Sequence, residues 1–138
     1  MMTVSLVMHA FIWIAIGGAL GSVARHGVSV AFIERVAHGA AAVWATLAVN
    51  VSGSLLIGFV ATLGHPQGSL LQHSPARLFL TVGLCGGYTT FSAFSLQTLE
   101  LIRAENWLLA GGNILLSVFG TLLAVFIGHK LALFFQHA

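Results

Sequence analysis

The fold turns on one stretch: Thr81-Val82-Gly83-Leu84-Cys85-Gly86-Gly87-Tyr88-Thr89-Thr90-Phe91-Ser92-Ala93-Phe94-Ser95. It lies inside an apolar segment, roughly Arg77 to Ile102, that is long enough to cross a bilayer. Three glycines within five positions, followed by Thr89-Thr90, predict a break in that helix near mid-membrane. Irregular backbone at that depth survives only when buried in protein or lining a cavity, because lipid offers it no hydrogen bonds. Broken helices expose carbonyl and N–H groups that bind ions. The carbonyls around Gly86 and Thr89 suit a hard cation such as Na⁺. No nearby carboxylate supplies the usual ligands of Ca²⁺ or Mg²⁺.

Working outward, three more apolar stretches are long enough to span: roughly Met8 to Phe32, Ala41 to Leu63 and Trp107 to Phe135. Glu34, Arg35 and Gly39 separate the first two. His65-Pro66-Gln67-Gly68 opens the longest loop and Ser74-Pro75 closes it, while Arg103, Glu105 and Asn106 make a tight turn before Trp107. The first segment lacks a positive N-terminal region and a cleavage site, and reads as a retained helix. The expectation is an all-α membrane protein, a single four-helix domain over residues 1–138. It is too thin to enclose a wide pore alone, so a homo-oligomer is expected.

Composition agrees. Of 138 residues, 58% are hydrophobic and only 6% charged, against about 25% charged in soluble domains. The only carboxylates are Glu34, Glu100 and Glu105, and there is no Asp. A Ser-His-Asp triad and paired Asp/Glu catalysis are therefore excluded, and no enzyme is expected. One cysteine excludes disulfide frameworks and multi-Cys metal sites within a chain. A net charge of +2 without a basic cluster gives no nucleic-acid footprint. The loop charges barely orient the chain: Arg77 and Lys130 lie on one side, Arg35 and Arg103 on the other. Lys/Arg bias in short loops sets topology. A two-against-two count permits insertion both ways up, and hence an antiparallel dimer.

The remaining signal is polar residues inside the spans. Thr46, Asn50 and Ser54 recur every four residues in the second, and Asn113, Ser117 and Thr121 in the fourth, so each set lies on one helix face. Such groups can be helix–helix glue, worth about 0.6 kcal/mol each. Two parallel stripes instead suggest a narrow polar track. Gly17 and Gly21, with Gly18 and Ser22, permit close backbone approach in the first helix. Arg25 follows within the same span, where an ionisable residue is a functional candidate. With no Asp to pair with, it can meet a carbonyl or an anion in a vestibule. Phe91 and Phe94 follow the Thr89-Thr90 break directly. Phenyl edges are positive, so ring edges together with the Asn50 amide and Ser/Thr hydroxyls suit a small, strongly hydrated anion.

Taken in order, Gly17-Gly18-x-x-Gly21-Ser22-x-x-Arg25, Thr46-x-x-x-Asn50-x-x-Gly53-Ser54 and the run from Gly83 to Ser95 resemble the CrcB/Fluc fluoride channel family over nearly the whole chain. The resemblance implies an antiparallel, dual-topology homodimer with two F⁻ pores, exporting F⁻ passively across the bacterial inner membrane. It implies a structural Na⁺ on the dimer axis, held by the carbonyls of Gly86 and Thr89. It places Asn50, Phe91 and Phe94 in the ion pathway. Ser117 and Thr121 fall on the polar track, joined by Thr46 and Thr90, with Arg25 at the vestibule. The partners implied are F⁻, an inverted copy of the chain and the lipid bilayer. Two positions depart from the family pattern: His26 replaces an aromatic after Arg25, and Gln97 replaces an acidic residue three positions after Phe94.

Two other membrane functions fit less well. A proton-coupled, small multidrug-type exporter would want a membrane-embedded carboxylate, and none precedes Glu34. A non-transporting assembly subunit leaves the Gly-Gly-x-Thr-Thr break unexplained. The seven histidines are dispersed, with no i, i+4 pair to hold a metal.

Overall fold

The computed structural model describes residues 4–35, 40–63 and 74–137. His38, His65, His73, Gly39 and the Pro66-Gln67-Gly68 loop lie outside the described residues. The helices are α1 (Val4–Arg35), α2 (Ala41–Leu63), α3 (Pro75–Leu78), α4 (Gly86–Tyr88), α5 (Phe91–Arg103) and α6 (Trp107–His137), with a π-helical stretch, Phe79–Cys85, joining α3 to α4. No strand occurs among the described residues. Four stretches are long and apolar enough to cross a membrane: Met8–Arg35, Ala41–Leu63, Pro75–Arg103 and Trp107–Gln136. The chain is thus an all-helical, multi-pass membrane protein.

The ends differ from the sequence-based bounds for local reasons. The third span begins at Pro75 because Ser74 caps it, its side chain accepting from the Arg77 N–H at 3.2 Å. Proline at the first helical position needs no N–H there. Glu34 and Arg35 belong to the last turn of α1, not to a connection. The short turn after Arg103 is as expected: Glu105 takes a left-handed φ of 57°, and the Asn106 side chain caps α6 by accepting from the Leu109 N–H at 3.3 Å.

Packing is by backbone contact between two helix pairs. α1 lies along the third span, where a Cβ on Gly17 would sit 2.5 Å from the Phe79 carbonyl oxygen and 2.9 Å from the Leu84 nitrogen. A Cβ on Gly21 would strike the Leu84 carbonyl, and one on Gly87 the Gly18 carbonyl. α2 lies along α6 in the same way: a Cβ on Gly58 would collide with the Val125 carbonyl, and one on Gly128 with that of Leu55. The π-helical stretch widens the third span where Gly83 meets Gly17. In lipid no hydrophobic force drives helices together, so close van der Waals approach through small residues does the work. The buried core accordingly holds Ala45, Val49, Cys85, Ala110, Ala124 and Ala132, while Leu108, Val23, Phe119 and Phe134 are exposed.

Adding side-chain bulk at Gly128 should force α2 and α6 apart. Gly128→Leu is expected to lose the monodisperse gel-filtration peak in detergent, since overpacking costs about 1–3 kcal/mol or more. Gly27→Ala, where nothing lies within 4 Å, should keep the peak and gain up to about 1 kcal/mol of helix propensity.

Candidate functional site

Between Tyr88 and Phe91 the backbone of the third span is extended: Thr89 lies at φ −79°, ψ 155° and Thr90 at φ −151°, ψ 115°. In an uninterrupted helix the Thr90 N–H would reach the Gly86 carbonyl. Here it donates instead to Oδ1 of Asn50, on α2, at 2.8 Å. Asn50 Nδ2 returns a bond to the Thr90 carbonyl at 3.0 Å. One side-chain amide therefore satisfies both backbone groups of Thr90. Thr90 in turn caps α5, its Oγ1 accepting from the Ala93 N–H at 3.3 Å. The Thr89 N–H and Oγ1 both donate to the Cys85 carbonyl at 2.9 Å. Gly53 on α2 lets Thr89 and Tyr88 approach, since a Cβ there would run into the Thr89 methyl.

A cavity of about 280 Å³ opens at this point. Asn50, Thr90, Phe91, Phe94, Ser117 and Thr121, expected from sequence to form an ion pathway, all line it, as do Gly86 and Thr89. The two rings are 5.2 Å apart between centroids and tilted by 49°. Phe94 is 8% exposed and Phe91 77%, so one ring faces inward while the other projects from the chain. Thr121 Oγ1 donates to the Ser117 carbonyl at 2.6 Å, and Ser117 Oγ to Asn113 Oδ1 at 3.4 Å. Both hydroxyls must rotate before they can offer a proton to a ligand. Asn50 has a second Nδ2 proton with no acceptor among the described residues.

Thr46 and Arg25 do not line this cavity. They line a second one, of about 320 Å³, together with Ser22, His26, Ser29 and Gln97, and Thr90 borders both. Among the described residues Arg25 has no carboxylate partner; its backbone carbonyl accepts from the Ser29 hydroxyl at 3.0 Å. The fourth-span stripe is also divided. Asn113 is 6% exposed and gives Nδ2 to Thr98 Oγ1 at 2.9 Å, tying α6 to α5. It is helix–helix glue outside the first cavity: Nδ2 goes to α5, while Oδ1 accepts from Ser117 on its own helix.

Among the other residues that line these cavities, Ser54, Ser22 and Gln97 gain roles beyond those read from the sequence. Ser54 lines the first cavity one turn beyond Asn50, and its place in the second-span stripe is a usable signal. Ser22 does more than permit close packing: it donates to the Gly87 carbonyl at 3.4 Å. Gln97, in sequence only a departure from the family pattern, ties α5 to α2 through Nε2, a contact no local pattern announces. Among the described residues no group of His, Cys, Asp and Glu could hold a metal. His129 instead bonds Thr62 through Nδ1 at 2.9 Å.

A family model described as CrcB-like protein, camphor resistance (CrcB), matches residues 12–129. A protein of Methylocella silvestris named fluoride-specific ion channel FluC is 50% identical over 122 residues, covering 88% of this chain and 92% of that one. Relatives of the same name from Opitutus terrae and Paramagnetospirillum magneticum are 48% and 45% identical, covering 88% and 91% of this chain and 91% and 96% of theirs. The matched span runs from α1 into the last turns of α6 and contains both cavities and the Asn50–Thr90 pair: the chain belongs to the CrcB-like family.

Proposed function

We propose that the protein is a fluoride-selective, passive ion channel that exports F⁻ from the cytoplasm across the bacterial inner membrane. The observation that carries this is the first cavity. Phenyl groups, an amide and hydroxyls converge there, and none of its lining residues is acidic or basic. Such a wall offers positive ring edges and neutral donors, which favour a small anion over a cation or a proton-coupled substrate. The names of the relatives point the same way. An inside-negative potential suffices to drive export, since one charge moved through 100 mV is worth about 2.3 kcal/mol.

The working unit in this reading is an antiparallel homodimer of inverted copies carrying two pores, with the break of each third span near mid-membrane. Support comes from Phe91, an aromatic beside the polar break that a single chain leaves 77% exposed. The balanced Lys/Arg count supports it independently. The chain also suits a structural Na⁺. The Thr90 and Ala93 N–H groups turn to the side chains of Asn50 and Thr90, away from the Gly86 and Thr89 carbonyls they would meet in a helix. Those two carbonyls would hold the ion. Bound there, it would supply a fixed positive charge and hydrogen-bond relief to backbone that lipid cannot solvate.

Proteoliposomes made with purified protein and a K⁺ ionophore should release F⁻ quickly and Cl⁻ barely. Equal release of the two, or a requirement for a proton gradient, contradicts the reading. Phe91→Ile and Phe94→Ile should each lower F⁻ flux tenfold or more, roughly the effect of 1.4 kcal/mol on a barrier, with the oligomer intact by gel filtration.

Asn50→Ala should do more than remove a donor. It strands the part-buried Thr90 N–H and carbonyl, at up to about 1–3 kcal/mol for each. A lowered thermal midpoint in detergent is therefore expected alongside lost flux. For topology, a variant with two lysines added to one loop should be silent alone, and co-expression with an oppositely biased variant should restore flux. Accessibility labelling of termini that finds a single orientation would dismiss the inverted dimer.

A further inference from the structure

In a helix, a Ser or Thr hydroxyl ordinarily gives its proton to the carbonyl four residues back. This chain follows the habit at Ser29, Thr62, Thr81, Thr98 and Thr121. Thr46 does not. Gln97 reaches across from α5 and donates one Nε2 proton to the Ala42 carbonyl at 3.1 Å and the other to Thr46 Oγ1 at 2.9 Å. The first bond occupies the carbonyl that Thr46 would otherwise use, and the second makes Thr46 an acceptor. Its own proton has no acceptor among the described residues, although Thr46 is only 8% exposed and lines the cavity that holds Arg25. The amide cannot be turned round, because Oε1 would then face the Ala42 carbonyl oxygen. As placed, Oε1 is buried with no partner, so the side chain is held for its two donors alone.

We infer that Gln97 is a positioning residue of the anion path: it holds Thr46 with its hydroxyl proton free, so that Thr46 and Arg25 together receive an anion in the cavity they line. This rests on the fluoride-channel reading. Gln97 has spent both of its protons and cannot itself donate to the ion, so it acts through Thr46. An acidic side chain at this position could not reproduce the arrangement. A carboxylate would repel the Ala42 carbonyl and draw the Thr46 proton to itself, leaving the hydroxyl oxygen to face the anion.

The test is F⁻ flux from proteoliposomes over a range of F⁻ concentrations, separating the half-saturating concentration from the maximal rate. Gln97→Met and Thr46→Val should each raise the half-saturating concentration about three- to tenfold, the range one neutral hydrogen bond supports, with the maximal rate little changed. The double variant should be no worse than Thr46→Val, and Thr46→Ser should resemble the parent. Gln97→Glu, which keeps length and shape, should show the same rise even if Gln97→Met assembles poorly. Unchanged half-saturation in both Gln97 variants, or a double variant showing the product of the single effects, overturns the inference while the parent still conducts F⁻. A parent that carries no F⁻ overturns the channel reading and this inference with it.

Discussion

The pairing of the Asn50 amide with Thr90 is the contact on which the rest depends. Leaving a helix inside an apolar span strands backbone groups that lipid cannot satisfy, at several kcal/mol each. Asn50 resolves this with one side chain, donating to the carbonyl of Thr90 and accepting from its N–H. That clasp turns the chain so that Thr90 can cap α5, and it sets where Phe91 and Phe94 leave the helix. A residue with only a donor or only an acceptor could not do both, which is the physical reason an amide is present there.

The clasp works only because α2 can come close to the third span. Gly53 supplies the space, and glycines along α1/third-span and α2/α6 bring the remaining backbones into contact. Apart from Phe94 and Val49, the core is consequently built of small residues, with most large aliphatic and aromatic groups turned outward. A soluble protein does the reverse, because water drives its large side chains inward. Here the outer solvent is hydrocarbon, and tight packing of small groups is what distinguishes one helix neighbour from another.

In the proposed channel the two cavities divide the labour of a polar pathway. One is walled by rings, hydroxyls and an amide; the other holds the cation Arg25, with Thr90 between them. The hydroxyls of Ser22, Ser29, Thr89 and Thr121 along the way are engaged with backbone carbonyls. Their protons become available only by rotation, at the expense of an internal bond. In that proposal, hydroxyls that keep a free proton, such as that of Thr46, would be the first to meet the anion.

Much is legible in the residues themselves. Four apolar stretches too poor in charge for water dictate spanning helices, and the glycine spacing in α1 dictates close contact on one face. Gly-Gly-x-Thr-Thr points to irregular backbone, but only Thr89 and Thr90 are extended, while Gly86 and Gly87 stay helical. Those features depend on short-range periodicity and composition. The tertiary structure decided what each polar group does. Asn50 and Asn113 look alike in sequence, each within a four-residue stripe, yet one clasps the third span while the other binds Thr98 between α5 and α6. Thr46 and Ser54 share a stripe with Asn50 but open into different cavities. Gln97 meets Thr46 and Ala42 across 51 and 55 residues of chain. A hydrogen bond is spent according to which partner lies within about 3 Å, and for these side chains that partner is brought near only by helix packing.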